Sequence, residues 1–204
     1  MIYPNAQARI DSHLQEGKQV GTVYHWTTSN GAAGIMDEDG LRPNFHDRRN
    51  RGNVISVTRD KNPNFWLYPD IYWRFVLDGD KIAQHYKIGP YSDSESGNTR
   101  WDRSPEAEEE ILLPGGKKLG PLSKYVYKVE YHGPWDFHEL KHFEDVFDEY
   151  GDDYDPNDDD SDEKPDDMNL FGSELEEAKN AVDAVRAARS RGIKLSRGKK
   201  RALR

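Results

Sequence analysis

The chain has 204 residues, with 38 acidic and 29 basic side chains and no cysteine. That length suits one domain with appendages rather than two full domains, and the missing thiols exclude disulfides, thiolate zinc sites, iron–sulfur clusters and cysteine nucleophiles. Leu, Ile, Val and Phe together fill only 39 positions, the range in which part of a chain does not fold. No apolar run reaches the roughly 18 residues of a membrane span, and Met1-Ile2-Tyr3-Pro4-Asn5 lacks the basic and apolar regions of a signal peptide, so a soluble, cytoplasmic protein without a membrane partner is expected.

Ala6, Ile10 and Leu14 after Pro4 predict a short amphipathic helix closed by Gly17. Gly21 to Thr27 is β-branched and aromatic and predicts a strand. Ser29 offers an N-cap for a helix holding Ala32, Ala33, Ile35 and Met36, ended by Gly40. Further strands are expected at Asn53–Thr58, at Trp73–Asp78 before the turn pair Asp78-Gly79, and at Glu110–Leu113 before Pro114-Gly115-Gly116. Tyr125, Tyr127, Val129 and Tyr131 alternate with Val126, Lys128 and Glu130 as in a half-exposed strand. Phe137, Leu140, Phe143 and Phe147 return to helical spacing. Strands in the middle and helices at the margins give an α+β class without internal repeats.

Charge divides the chain into three blocks. Residues 1–143 carry 20 acids and 18 bases and hold all five tryptophans, a foldable composition. Glu144 to Asp167 has 14 acids against Lys164 alone, so 144–172 is expected to be an acidic, mostly disordered linker; nucleic-acid mimicry or calcium binding are the functional readings of that run. In 173–204, Ser173 and Glu176 form a capping box ahead of Leu175, Ala178, Val182 and Val185, predicting a helix over 173–190 stopped by Gly192. The basic tail 191–204 has seven bases and no acid, and either folds back on the linker or contacts nucleic acid.

Chemistry concentrates at Glu106-Ala107-Glu108-Glu109-Glu110-Ile111-Leu112-Leu113-Pro114. Alternation along a strand puts Glu108 and Glu110 on one face, a carboxylate pair suited to acid–base work or cation stabilisation; a solvated acidic loop is the bland reading. Taken with Tyr24-His25-Trp26-Thr27 and Ile55-Ser56-Val57-Thr58 upstream, this order of motifs resembles the ADP-ribosyltransferase superfamily, and its small phage-borne and toxin-type mono-ADP-ribosyltransferases in particular. In that family a His or Arg precedes Gly and Thr or Ser, a Ser-Thr-Ser-like run follows, and a glutamate stands before an apolar triplet and proline. The resemblance spans residues 22–131, and Val76 to Ile82 looks like the strand and turn that precede the family's glutamate.

The resemblance implies a split antiparallel sheet with flanking helices, NAD as substrate, and transfer of ADP-ribose to a protein or nucleic-acid acceptor with release of nicotinamide. It implies Glu110 as the catalytic carboxylate and Glu108 as the residue orienting the acceptor, a pair that leans toward an arginine on a protein while the basic tail leans toward nucleic acid. His25, Thr27, Ser56 and Thr58 would hold NAD, and Tyr68 or Tyr72, or Trp66 beside them, would set a ring against nicotinamide. His46, Arg48, Arg49 and Arg51 lie where relatives contact adenine and pyrophosphate. NAD hydrolysis and removal of an RNA 2′-phosphate are related outcomes, and a phage or bacterial setting is implied. Trp26 stands at the family's glycine, Ser-Val-Thr replaces Ser-Thr-Ser, and His25 is combined with a full Glu-x-Glu. The alternative is therefore a catalytically inactive interaction module with Trp26 filling the nicotinamide site. A minor alternative is a zinc protease through His138-Glu139-Leu140-Lys141-His142 with Asp148 as third ligand, although the apolar face of that helix turns both histidines toward water and no metal site is expected.

Overall fold

Residues 20–45, 53–59, 61, 71–90, 108–150 and 172–198 are described by the computed structural model. In chain order they form β1 (Thr22–Thr27), α1 (Ser29–Asp37), β2 (Asn44–Phe45), β3 (Asn53–Thr58), β4 (Trp73–Asp78), α2 (Gly79–Ala83), β5 (Lys87–Pro90), β6 (Glu108–Leu112), a 3-10 turn (Pro114–Gly116), α3 (Leu122–Tyr125), β7 (Val126–Tyr131), α4 (Phe137–Tyr150), α5 (Gly172–Ser190) and β8 (Leu195–Arg197). The class is mixed α+β. The expected helix at 6–14, the basic loop 46–51, Trp66, Tyr68, the linker from 151 to 171 and the tail from 199 onward lie outside the described residues.

One curled sheet runs in the order β5-β6-β3-β1-β4-β7-β8, with β2 also on β3. Every pairing is antiparallel except that of β8, which lies parallel to β7, so the sheet is mixed rather than wholly antiparallel. The β1/β3 contact differs from its neighbours. β6 pairs with one edge of β3 from Val54 to Thr58, so β1 and β2 share the other edge: β2 takes Asn53 and Val54, while β1 is registered only through Tyr24 opposite Thr58. Two half-sheets thus meet at a seam with a single registered pair.

Antiparallel partners point to the same side of a sheet, so the register sorts the side chains. Val23, His25, Trp73, Phe75, Leu77, Ile55, Val57, Ile111, Val129 and Tyr131 face one side, where α1, α4 and α5 cover a continuous apolar core. Ala178, Ala181, Ala184 and Ala188 are buried on α5, and such small side chains let it lie close on α1, which buries Ser29, Ala32 and Met36. A polar link reinforces this packing: the Ser29 hydroxyl donates to Glu177 of α5 and accepts from the Trp73 indole at 2.8 Å. α4 and α5 are further joined by Arg186 and Arg189, which donate to the Glu144 carboxylate at 3.1 and 2.7 Å.

The expected elements recur with local differences. Thr28, not Ser29, caps α1, accepting from the Gly31 amide at 3.2 Å, and Ser29 is buried inside the first turn. α1 ends through Asp39 at a positive φ of 54° rather than through Gly40. Asp78 caps the short helix α2 instead of opening a simple turn. α5 begins at Gly172, so Ser173 lies within its first turn. A bulge between Val76 and Leu77 of β4 shifts the pairing past Tyr127, leaving that ring exposed and breaking the alternation read from Tyr125 to Tyr131. The boundary at 143 falls inside α4, and α5 and β8 belong to the same core and sheet as residues 20–143. Of the basic tail, Arg191 donates to the Asp37 carbonyl and Arg197 to the Tyr131 and Gly133 carbonyls.

The end of β8 rests on an imidazole. The Gly198 amide donates to the Tyr131 carbonyl at 2.7 Å, and a Cβ at 198 would stand 2.2 Å from the His132 ring. Gly198→Ala is expected to destabilise the fold by about 1–3 kcal/mol through forced displacement of that ring, read as a lower urea midpoint at unchanged slope.

Candidate functional site

β6, β3 and β1, the strands of the three motifs, are consecutive neighbours in the sheet. Ser56 stands opposite Glu110 and Thr58 opposite Glu108, while Tyr24 is opposite Thr58. These positions therefore share the face away from the apolar helices. Glu110 is 6% exposed and Thr58 is buried, whereas Ser56 is open. Of Glu108 only the backbone position is described.

His25 is on the other side of the pleat, opposite Phe75, whose ring centroid is 6.3 Å away. It reaches across the seam: its Nδ1 lies 2.9 Å from the Ser56 carbonyl oxygen. A carbonyl only accepts, so Nδ1 carries the proton and Nε2 is left as an acceptor when the ring is neutral. Burial lowers the His25 pKa from the ordinary histidine value, with the Ser56 bond acting in the opposite sense, and this favours the neutral ring. Thus the structure brings Ser56 and Glu110 together by register and ties His25 to the same residue through its backbone. Thr27, half-buried at the end of β1, is on the His25 side. Tyr72 has no exposed surface and belongs to the core, which removes its ring from any open cleft.

The face of Ser56 and Glu110 continues into a polar cluster that the motifs do not contain. Trp26 is opposite Arg74, and Arg74 opposite Glu130, on β1, β4 and β7. The Arg74 side chain is 3% exposed. Its Nε donates to Glu130 at 2.6 Å, Nη2 donates to the same carboxylate, and Nη1 donates to the Lys61 carbonyl. Its guanidinium carbon is 5.2 Å from the centre of the Tyr24 ring and 5.1 Å from that of Trp26, within cation–π range. Lys128 approaches the other Glu130 oxygen at 2.6 Å, and His132 Nε2 lies 3.6 Å from the first. The His132 ring in turn packs at 4.9 Å against Trp26. Burial alone would raise the Glu130 pKa; hydrogen bonds and charge from Lys128 and Arg74 outweigh it and hold the carboxyl below its usual range. The sequence did carry a signal for this cluster: Arg74 stands between Trp73 and Phe75 and Glu130 between Val129 and Tyr131, charged residues with large apolar neighbours, and their mutual register supplies the partner each needs.

The H-E-x-x-H run is used differently. Asp136 accepts from the His138 and Glu139 amides at 2.8 and 2.9 Å while Glu139 accepts from the Asp136 amide, a reciprocal cap at the start of α4. Both histidines are exposed, Asp148 accepts from Arg186, and among the described residues no group of three His, Asp or Glu is placed to hold a metal. No helix among them is long and apolar enough to cross a membrane.

No family model, curated protein or solved structure matches the chain.

Glu130→Gln leaves the buried Arg74 charge uncompensated and is expected to cost about 3 kcal/mol. Because the folded-state pKa of Glu130 is depressed, its stabilisation is full above the unfolded value of about 4.3 and is lost as pH falls through the folded value. Urea unfolding from pH 7 to 3 should therefore show a shallower acid-side loss of stability in Glu130→Gln than in the wild type.

Proposed function

We propose that the chain is an NAD-dependent ADP-ribosyltransferase of the small phage and toxin type, acting from the face that carries Ser56 and Glu110. The observation that carries the reading is the convergence of the three motifs on one residue: Ser56 is opposite Glu110 in the β3/β6 register and accepts from His25 through its carbonyl. The seam between β1 and β3 supports it too, since a split sheet with NAD held between these strands is what the resemblance implies.

The chemistry requires few groups. Breaking the bond between ribose C1′ and the nicotinamide nitrogen sends the electron pair to nicotinamide and leaves positive charge on the sugar. A fixed, buried carboxylate such as Glu110 stabilises that charge more in the transition state than in the ground state. The acceptor nucleophile then bonds to C1′ and gives up its proton. Ser56 and Thr58, on the Glu110 face, are suited to bracing the cleft, and His25, across the pleat, acts on that face through its Nδ1–H bond to the Ser56 carbonyl rather than by its own contact with the ribose. A macromolecular acceptor, protein or nucleic acid, fits the family, and Glu108 would orient it.

A second reading has its own observation. Trp26 lies on the face of Ser56 and Glu110, in contact with Arg74 and His132, where the family carries glycine. That favours an inactive interaction module in which the indole occupies the nicotinamide position.

Nicotinamide release from NAD by the purified chain, with and without bacterial lysate as acceptor source, separates the two. Glu110→Gln is expected to lower release by about 100-fold or more while NAD affinity changes only a few-fold, because the carboxylate acts on the transition state. His142→Ala should be indistinguishable from wild type. Release that is insensitive to Glu110→Gln would refute the site, and absence of both release and NAD binding would select the interaction module.

A further inference from the structure

In a chain whose net charge is −9, two stretches carry lysines and no acid: 81–90, with Lys81 and Lys87, and 114–129, with Lys117, Lys118, Lys124 and Lys128. Tyrosines are interleaved with them. The fold brings parts of both stretches together around α2 and α3, outside the three motif strands. The Tyr86 ring meets the Tyr125 ring edge-on at 6.2 Å and their hydroxyls are hydrogen-bonded; His85 lies 6.4 Å from Tyr86, and Lys124 Nζ stands 5.0 Å over Tyr125. From β7, the Tyr127 hydroxyl donates to the Asp78 carboxylate, which also accepts from the Lys81 amide at 3.0 Å and lies 3.4 Å from Lys81 Nζ. Lys81, His85, Lys87 and Lys124 are all exposed.

We infer that this surface binds single-stranded nucleic acid, its lysines meeting phosphates and the Tyr127 ring stacking on a base. The inference is independent of the NAD reading. The open ring is its first support: Tyr127 is 57% exposed, the one exposed large apolar side chain among the described residues, and its bond to Asp78 already fixes it. Such a ring offers a face to any unstacked base, whereas the bases of a duplex are not free to take it. Charge is the second. Of the two acids beside Tyr127, Asp78 is buried under its hydrogen bonds and Asp80 accepts from the Val20 and Gly21 amides, so the exposed ends of the cluster are cationic. Lys128, turned to Glu130, contributes less. Because the chain as a whole repels a phosphate backbone, attraction has to come from such a local concentration of lysine. Lysine is depleted at protein–protein interfaces, and a lone tyrosine gives a bilayer little apolar surface to take up; lysines with an open aromatic ring are the composition of a single-strand binding surface.

The test follows the anisotropy of a labelled oligothymidylate of about 12 nucleotides as the full chain is added, without NAD and over a series of salt concentrations. Wild type should bind saturably and more weakly as salt rises. Tyr127→Ala should weaken binding about tenfold with the salt slope unchanged, and Tyr127→Phe should recover most of the affinity. Lys124→Gln and Lys87→Gln should each weaken binding and reduce the slope by about 0.7, the value for one phosphate contact on a single strand. All these side chains are at least partly exposed, and far-UV circular dichroism establishes that each variant is folded. Absence of oligonucleotide binding at low salt overturns the inference. So does binding that survives these substitutions and is removed by changing Lys199, Lys200 and Arg201 to Gln, which would assign it to the tail alone. Equal affinity for a duplex of the same length, or for an acidic peptide of similar charge, overturns it as well, the latter in favour of a protein partner. None of these outcomes depends on nicotinamide release, so the transferase reading stands or falls separately.

Discussion

A buried positive charge on one face of the sheet constrains much of what surrounds it. Arg74 is the second residue of β4 and has almost no exposure, and an unpaired guanidinium there would be prohibitive. Register supplies Glu130 directly opposite, and the Lys61 carbonyl and the rings of Tyr24 and Trp26 take up what the carboxylate leaves. Lys128 then balances the second oxygen, and His132 fills the space between the carboxylate and the indole. Even the C-terminus answers to this arrangement, because position 198 must be glycine for β8 to lie against that imidazole. The result is a sheet with two faces of different character, one apolar and covered by helices, the other carrying a charged and aromatic cluster beside Ser56 and Glu110.

Long patterned segments were legible in the sequence. Asn53–Thr58 and Trp73–Asp78 are strands at the expected residues because β-branched and aromatic side chains dominate them, and α4 follows its Phe and Leu spacing. What escaped was whatever depends on partners remote in sequence. β8 has three residues and no pattern of its own; it is a strand because Val129, Glu130 and Tyr131 offer it an edge. β2 and β5 are similarly defined by β3 and β6. The half-exposed pattern expected of β7 gives way at Val129–Tyr131, buried on both sides by the charged cluster and the core.

The site was legible in part for the same reason. Motif order placed His25, Ser56 and Glu110 on separate strands, and the neighbouring positions of those strands depend on pairing that local propensity does not encode. Alternation alone could not say that His25 would lie across the pleat from Glu110 and reach Ser56 by its backbone. Glu139 shows the converse. Its place in H-E-x-x-H suggests a base, yet two residues ahead of the pattern Asp136 makes it half of a helix cap, a use that needs only local geometry.

The single registered pair between β1 and β3 has a mechanical consequence. A β-ladder resists shear and rotation because many rungs act together; between β1 and β3 one rung is registered, Tyr24 against Thr58, so backbone pairing alone ties the two halves weakly. The two halves, β5-β6-β3 and β1-β4-β7-β8, are joined instead on their common apolar face, where Ile55, Val57 and Ile111 belong to one core with Val23, Phe75 and Leu77. Glu110 belongs to one half and Trp26 to the other, and the His25 to Ser56 hydrogen bond crosses between them. The separation of the carboxylate from the indole is therefore set by side-chain packing beneath the sheet more than by strand pairing across the seam.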